Sequence, residues 1–274
     1  MAIQLKKEEV KQLKIRLLSI LGEVDRLCRD NNIKYSLAYG TLLGAVRHNG
    51  FIPWDDDIDI MMERKEYDKF KSIVGEKLNK DYYYVDLYEN KHYGLMNGKV
   101  MLRNTVMKES SIATSKSPSG IYIDVFVFDV VPNSDKLRKK QFKKAKRIKR
   151  LTICRAKYYF GQKGLKLIIY RLRRLVYLII PRKLILNAYR RNAVRYENCK
   201  DYKFLGNLGG VYSIEKDSYP KDVFSKYKNV KFENLTCMSI DDDDRVLAIT
   251  YGDYMKLPPE EKRIPHHFVE EIRF

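Results

Sequence analysis

Residues 40–60 constrain this chain more than any other stretch. They run from Gly40-Thr41 through a short apolar segment to Trp54-Asp55-Asp56-Asp57-Ile58-Asp59-Ile60. Asp57 and Asp59 alternate with Ile58 and Ile60. On a β-strand, residues i and i+2 share a face. The spacing therefore predicts a strand over 57–62, with two carboxylates side by side and the isoleucines turned to a core. Like charges that close repel, unless a cation sits between them. Oxygen ligands and a shared phosphate suit Mg²⁺, as one ion or two, with Mn²⁺ as the alternative. Upstream, Leu42–Val46 predicts one or two helical turns, entered through Gly40 and Thr41. Glycine allows close backbone approach, and a helix N-terminus beside a hydroxyl offers amides and a favourable dipole to a phosphate.

The remaining pattern supplies a sheet and its helices. An amphipathic helix is predicted within residues 1–31, with Val10, Leu13, Leu17, Ile20, Leu21, Val24, Leu27 and Cys28 on one side. Ile33–Tyr39, Tyr82–Tyr88 and Lys99–Arg103 read as strands, and Glu63–Leu78 as a helix. Ile121–Phe128 is apolar on both faces except for Asp124, which predicts a central, buried strand. A charge there is expensive unless paired or on a metal. Asp124 is therefore expected as the third carboxylate of the site, and Asp129 as a turn residue.

Charge is distributed unevenly. The 274 residues carry a net charge of +19, yet residues 135–200 hold 23 Lys and Arg against Asp135 and Glu197 alone. The excess in this segment, +21, exceeds that of the whole chain, and it points to a polyanionic partner. The segment reads as mainly helical. Leu165, Ile168, Ile169, Leu172, Leu175, Val176 and Ile179 follow helical spacing. Arg171, Arg173 and Arg174 interrupt the run, and Pro181 ends it well short of a membrane span. Two outcomes are open: the helix lies on an anionic membrane surface, or it packs on the core. Nucleic acid is the weaker partner, because no aromatic-interleaved single-strand motif stands out. Four scattered cysteines without a CxxC pair, and no visible signal sequence, predict a reducing, cytoplasmic setting. Near the C-terminus, Asp241–Asp244 is expected to start a helix through Val246, Leu247 and Ile249. Tyr251–His267 is expected as an extended loop, either a substrate loop or a surface tail, and its adjacent His266 and His267 are not expected to act as a metal pair.

A small-residue turn, a helix and an Asp-x-Asp strand together resemble the nucleotidyltransferase superfamily signature. More specifically, Tyr39–Ile60, Gly120–Phe128 and Tyr251–His267 resemble the LicD family of phosphotransferases, which includes phosphocholine transferases and relatives of the fukutin-type proteins. The resemblance implies an α/β (α+β) fold: a nucleotidyltransferase-like mixed sheet flanked by helices, with a basic, mainly helical insert. It implies a catalytic core over 1–134, the basic segment over 135–200, and a C-terminal part, 201–274, completing the substrate site.

The reaction it implies moves phosphocholine from CDP-choline to a sugar of a lipid-linked glycan precursor, of teichoic acid type, with release of CMP. Asp57, Asp59 and Asp124 would hold Mg²⁺, with Asp124 also placed to take the hydroxyl proton. Gly40, Thr41 and neighbouring amides would hold donor phosphate. Arg47, Lys99 and Arg103 are candidates for further phosphate contacts, with His48 assisting. Trp54 and several tyrosines, among them Tyr93, Tyr251 and Tyr254, are available for a choline cage. The protein would work at the inner face of the plasma membrane, held peripherally by its basic segment. Other readings of the same residues are transfer of another phosphoalcohol, nucleotidyl transfer to RNA or a small acceptor, and a non-catalytic membrane-docking protein.

Overall fold

In the computed structural model, residues 5–264 and 269–274 are described. His266 and His267 lie outside them. The architecture is organised by β6 (Tyr122–Val131), the buried strand that the apolar run predicts. Its β-branched and aromatic residues suit a strand covered on both faces. One edge pairs in parallel with β2 (Asp59–Glu63), from Asp59 opposite Asp124 to Glu63 opposite Phe128. The other edge is shared end to end. β4 (Gly98–Leu102) pairs antiparallel with its first half, and β7 (Phe204–Asn207) with its second. β1 (Ser36–Leu37) extends the sheet beyond β2, β3 (Tyr82–Val85) beyond β4, and β8 (Ser218–Pro220) beyond β7. The result is a seven-stranded mixed sheet, the mixed α/β class that the resemblance implies.

Several boundaries differ from the sequence reading: β1 and β3 are shorter than the runs Ile33–Tyr39 and Tyr82–Tyr88 that predict them, and Tyr39 belongs to the helix that follows β1. β2 begins at Asp59, so Asp57 sits on the loop before the strand, although the Asp124 amide still donates to the Ile58 carbonyl at 2.9 Å. Asp129 is not a turn residue. β6 runs on to Val131 because β7 offers it partners, and Asp129 is buried there against the Arg64 guanidinium, Nε to Oδ1 at 2.7 Å.

The first helix, α1 (Lys7–Asp30), packs across β4 and β6. Seven of the eight predicted stripe residues are buried, Leu13 through Cys28. Its start is closed by the Glu9 carboxylate, which accepts from the Lys6 amide at 2.7 Å. α2 (Tyr39–His48) is longer than expected: Gly40 and Thr41 form its first turn rather than a turn ahead of it. Asn49, at φ 56°, ends it in the left-handed conformation that closes many helices. α3 (Arg64–Lys77) follows β2 and covers β2 and β6. β5 (Val106–Glu109) stands apart from the large sheet and pairs with the last strand, β11 (Val269–Arg273). The hairpin of β9 (Tyr227–Phe232) and β10 (Leu235–Ile240) lies against β1 and α1. α7 (Asp243–Tyr251) then begins with Asp243 and Asp244 in its first turn, where carboxylates favour the helix dipole.

The basic segment builds α4 (Asp135–Arg155), α5 (Leu165–Ile179) and α6 (Arg182–Ala193). It contributes no residue to the main core, which runs from Leu13 to Val269 among the described residues. α4 and α6 are tied together by Gln141 and Asn192, each bonding the other's backbone carbonyl. α6 and α4 bury Tyr189, Ile185 and Ile148 against Leu87 and Met96. By contrast, α5 buries none of its side chains. Leu165, Ile168, Leu172, Leu175, Val176 and Ile179 are 55–81% exposed. Packing of this face on the core, one of the two open outcomes, is not what the chain does. Among the described residues, no helix is long and apolar enough to cross a membrane.

Candidate active site

The parallel register of β2 and β6 sets Asp59 directly opposite Asp124. Neighbouring strands lie ~4.8 Å apart, so two acids from distant parts of the sequence are brought side by side. On the loop before β2, Asp55, Asp56 and Asp57 place carboxylate oxygens within 4.8 Å of one another. This triple is the compact group; Asp59 and Asp124 flank it. Asp59 is pushed well above the usual carboxylate range, first by burial and then by the charges of Asp57, Asp124 and Asp55, with Lys99 opposing. So much negative charge, largely shielded from water, is chemically suited to a hard divalent cation. Asp57, Asp59 and Asp124 would hold it, with Asp55 and Asp56 as further oxygen donors.

The local fold explains why these residues sit where they do. Gly40 faces Asp55 at the start of α2, and a Cβ there would come within 2.6 Å of the Asp55 carboxylate. Thr41 is buried, and its hydroxyl accepts the Asp59 amide at 2.8 Å. It therefore fixes the first residue of the carboxylate strand, a positioning task its accepting lone pair performs. Lys99, on β4 opposite Asp124, is nearly buried, with Nζ 3.5 Å from Asp124 and 3.8 Å from Glu109. It is the cation paired with Asp124, while Lys14 feels the charges of Asp55 and Asp56.

The other predicted residues are spread more widely. Trp54 adjoins the acidic loop, half-buried, with the Arg263 guanidinium 5.7 Å from its ring centroid. Arg47 and His48 lie at the far end of α2, about 10 Å along the helix from Gly40. Arg47 donates to the Tyr254 carbonyl at 2.6 Å, and burial together with Arg47 pushes the His48 imidazole below its ordinary value. Arg103 is not brought to the site. It lies beyond the end of β4, exposed, bonded to the Lys80 carbonyl and set over the Tyr83 ring.

Sequence reasoning missed several neighbours of the site. Asn97 donates its amide to the Asp124 carboxylate. Tyr212 stacks obliquely on Tyr39 at 5.5 Å and meets Tyr251, and burial, helped by the charges of Asp59, Asp217 and Asp57, holds its hydroxyl neutral. Tyr39 itself takes a φ of 45°, a region unfavourable for an aromatic residue. It is held there by its hydroxyl, which donates to Asp217 at 2.6 Å and accepts from Asn207 at 2.7 Å. Asp217 is fully buried, and its second oxygen has no hydrogen-bond partner among the described residues. Burial raises its pKa to about 6, against a smaller opposing effect of Lys149. Lys149, from the basic segment, donates to the carbonyls of Gly209 and Gly210 at 2.5 and 3.3 Å. Only the Asn207–Gly210 stretch, with its clustered glycines, carries a local sequence signal. The other contacts join residues far apart in the chain.

A mixed sheet that carries adjacent acids on β2 and β6, entered through a helix that starts at Gly40-Thr41, defines the class: residues 32–160 match the family described as LicD/FKTN/FKRP, nucleotidyltransferase domain. The chain belongs to the LicD family. It is 32% identical to the lipopolysaccharide cholinephosphotransferase LicD of Haemophilus influenzae, across 97% of this chain and 98% of that protein. Shorter likenesses link it to uncharacterized proteins of Rickettsia typhi, 40% identical over 27% of this chain and 24% of the relative, and of Rickettsia prowazekii, 45% over 27% and 30%.

Proposed function

We propose that this chain is a metal-dependent phosphotransferase that moves phosphocholine from CDP-choline to a sugar hydroxyl of a lipid-linked cell-envelope glycan precursor, releasing CMP. The observation that carries this reading is likeness to a cholinephosphotransferase along almost the full length of both chains. The site is chemically apt. Attack on a diphosphate requires charge neutralisation and in-line positioning more than covalent chemistry. Mg²⁺ or Mn²⁺ held by Asp57, Asp59 and Asp124 would supply the neutralisation. Lys99 adds fixed positive charge beside Asp124 for the donor phosphate. Asp124, oriented by Asn97, takes the proton of the attacking hydroxyl. Thr41 and Gly40 keep Asp59 and Asp55 in place.

The acceptor is an envelope glycan carrying lipid, with a teichoic-acid-type precursor as the first candidate and a lipopolysaccharide-type glycan as the second. The exposed apolar face of α5, within a segment of net +21, suits peripheral binding at the anionic inner face of the membrane. The test is transfer from CDP-choline bearing distinguishable choline and cytidine labels, with and without Mg²⁺. Choline label on the acceptor, CMP in solution and loss of both on chelation are expected. Cytidine label on the acceptor would make the enzyme a nucleotidyltransferase. Label from another CDP-alcohol, with none from CDP-choline, would reassign the donor.

A further inference from the structure

Lys99, which pairs with Asp124, also lines a cavity of about 90 Å³ that opens between β4, β5, β6 and the turn that follows α4. Since ~15 Å³ of such space holds one water, it has room for a small organic group. Its walls include Tyr93, Tyr122, Tyr158 and Phe160, with Glu109 and Lys99 at one side. The three phenol hydroxyls are tied to the protein: Tyr93 donates to the Asn97 carbonyl at 2.9 Å, Tyr122 to Glu109 at 2.5 Å, and Tyr158 pairs with Ser117 at 2.8 Å. Burial holds all three phenols neutral, above the ordinary tyrosine value. What remains to line the space is aromatic carbon, with a carboxylate beside it.

A cation already uses these surroundings. The Lys99 ammonium sits 3.0 Å from the Tyr122 ring centroid and 3.8 Å from Glu109. The same ammonium is 3.5 Å from Asp124, so Glu109 and Asp124 lie within about 7.3 Å of each other. An upper limit of that size leaves the two ends close enough for a phosphate and an ammonium joined by two carbons, with the phosphate among the carboxylates and the headgroup against the rings.

We propose that this cavity is the headgroup site of the donor, and that Tyr93, Tyr122, Tyr158, Phe160 and Glu109 recognise a quaternary ammonium. The inference rests on the phosphocholine reading of the active site and specifies which residues select the alcohol. A trimethylated ammonium cannot donate hydrogen bonds, so it gains from aromatic faces and a nearby carboxylate where a primary amine would prefer oxygen acceptors. Lys99 stands between the two ends, its ammonium shared among Asp124, Glu109 and the Tyr122 ring face. The sequence distributes the walls over residues 93–160, which hides the cavity from local inspection.

The experiment measures calorimetric binding of CDP-choline, CDP-ethanolamine and CMP to the full-length protein with Mg²⁺, alongside turnover. Phe160→Ala, at an exposed side chain, Glu109→Gln and Tyr158→Leu are each expected to weaken CDP-choline roughly tenfold and to erode the preference for choline over ethanolamine. CMP binding should hold in all three, and Tyr158→Phe should retain wild-type affinity. Variants that keep full choline affinity and preference, while the wild type transfers phosphocholine, overturn the cavity and leave the reaction standing. Equal loss of CMP binding also overturns it, since the residues would then be structural. A wild type that neither binds CDP-choline nor transfers from it overturns both.

Discussion

The carboxylate end of the sheet and the basic segment handle charge in opposite ways. At the first, Asp59, Asp124, Lys99, Arg64 and Asp129 are all buried within a core of apolar side chains. Each is placed by strand register or by a partner of opposite sign. At the second, charge of one sign stays in water, and the most apolar helix of the segment leaves its face in water as well. Burying a charge costs several kcal/mol unless it is paired, and leaving a large apolar face exposed is equally unusual. The first arrangement is kept for chemistry among the carboxylates. The second fits a surface that meets something other than water.

The largest expected effect removes charge from the first region. Asp59→Asn should reduce turnover about a thousandfold while the melting temperature stays level or rises, because a crowd of like charges is relieved. Full activity in that variant would break the comparison at its centre. Next comes the buried pair. Arg64→Met leaves Asp129 buried without its guanidinium and should cost about 3 kcal/mol in denaturant unfolding, much of it recovered when Asp129→Leu is added.

A comparable or smaller effect depends on pH. Asp217 holds its proton more tightly folded, at about 6, than unfolded, near 3.8. Wild-type protein therefore loses stability as pH rises from about 4 to 6, and the penalty is complete above that. Asp217→Asn, which can still accept from Tyr39, should gain up to about 3 kcal/mol over wild type at pH 7 and nothing below pH 4. Equal pH profiles would show that the carboxylate is hydrated. The smallest effect on stability belongs to α5. Leu172→Gln with Leu175→Gln should change unfolding by no more than about 0.5 kcal/mol per site, yet reduce pelleting with anionic vesicles. Neutralising Arg171, Arg173 and Arg174 should weaken the same binding and its salt dependence. A strong loss of stability would mean that the face is packed.

Much of this was legible in the sequence, for identifiable reasons. The α1 stripe and the β6 run are periodic, and period translates directly into burial. The acids Asp57, Asp59 and Asp124 stood out because charge interrupts apolar patterns. What the pattern could not convey was continuation. β6 passes Asp129 because β7 offers it partners and Arg64, from another element, neutralises the charge. β2 starts two residues late because the Asp55–Asp57 loop turns toward Gly40. Arg103 was plausible by charge alone, and the end of β4 carries it away. Asn97, Tyr212 and Asp217 carry no local signal, since each acquires its neighbours through contacts between distant segments. For α5 the pattern supplied the helix and its face, but an amphipathic stripe looks the same whether it meets a core or a lipid.

Val131 and Phe204 are hydrogen-bonded neighbours, so the whole basic segment leaves the sheet and re-enters it at one point. As a chain excursion it has a closed base. Doubling the length of such an excursion adds only about 0.6 kcal/mol of closure entropy, and no strand needs to shift register to accommodate it. A change of length or charge in the segment would thus leave the acids of β2 and β6 in register.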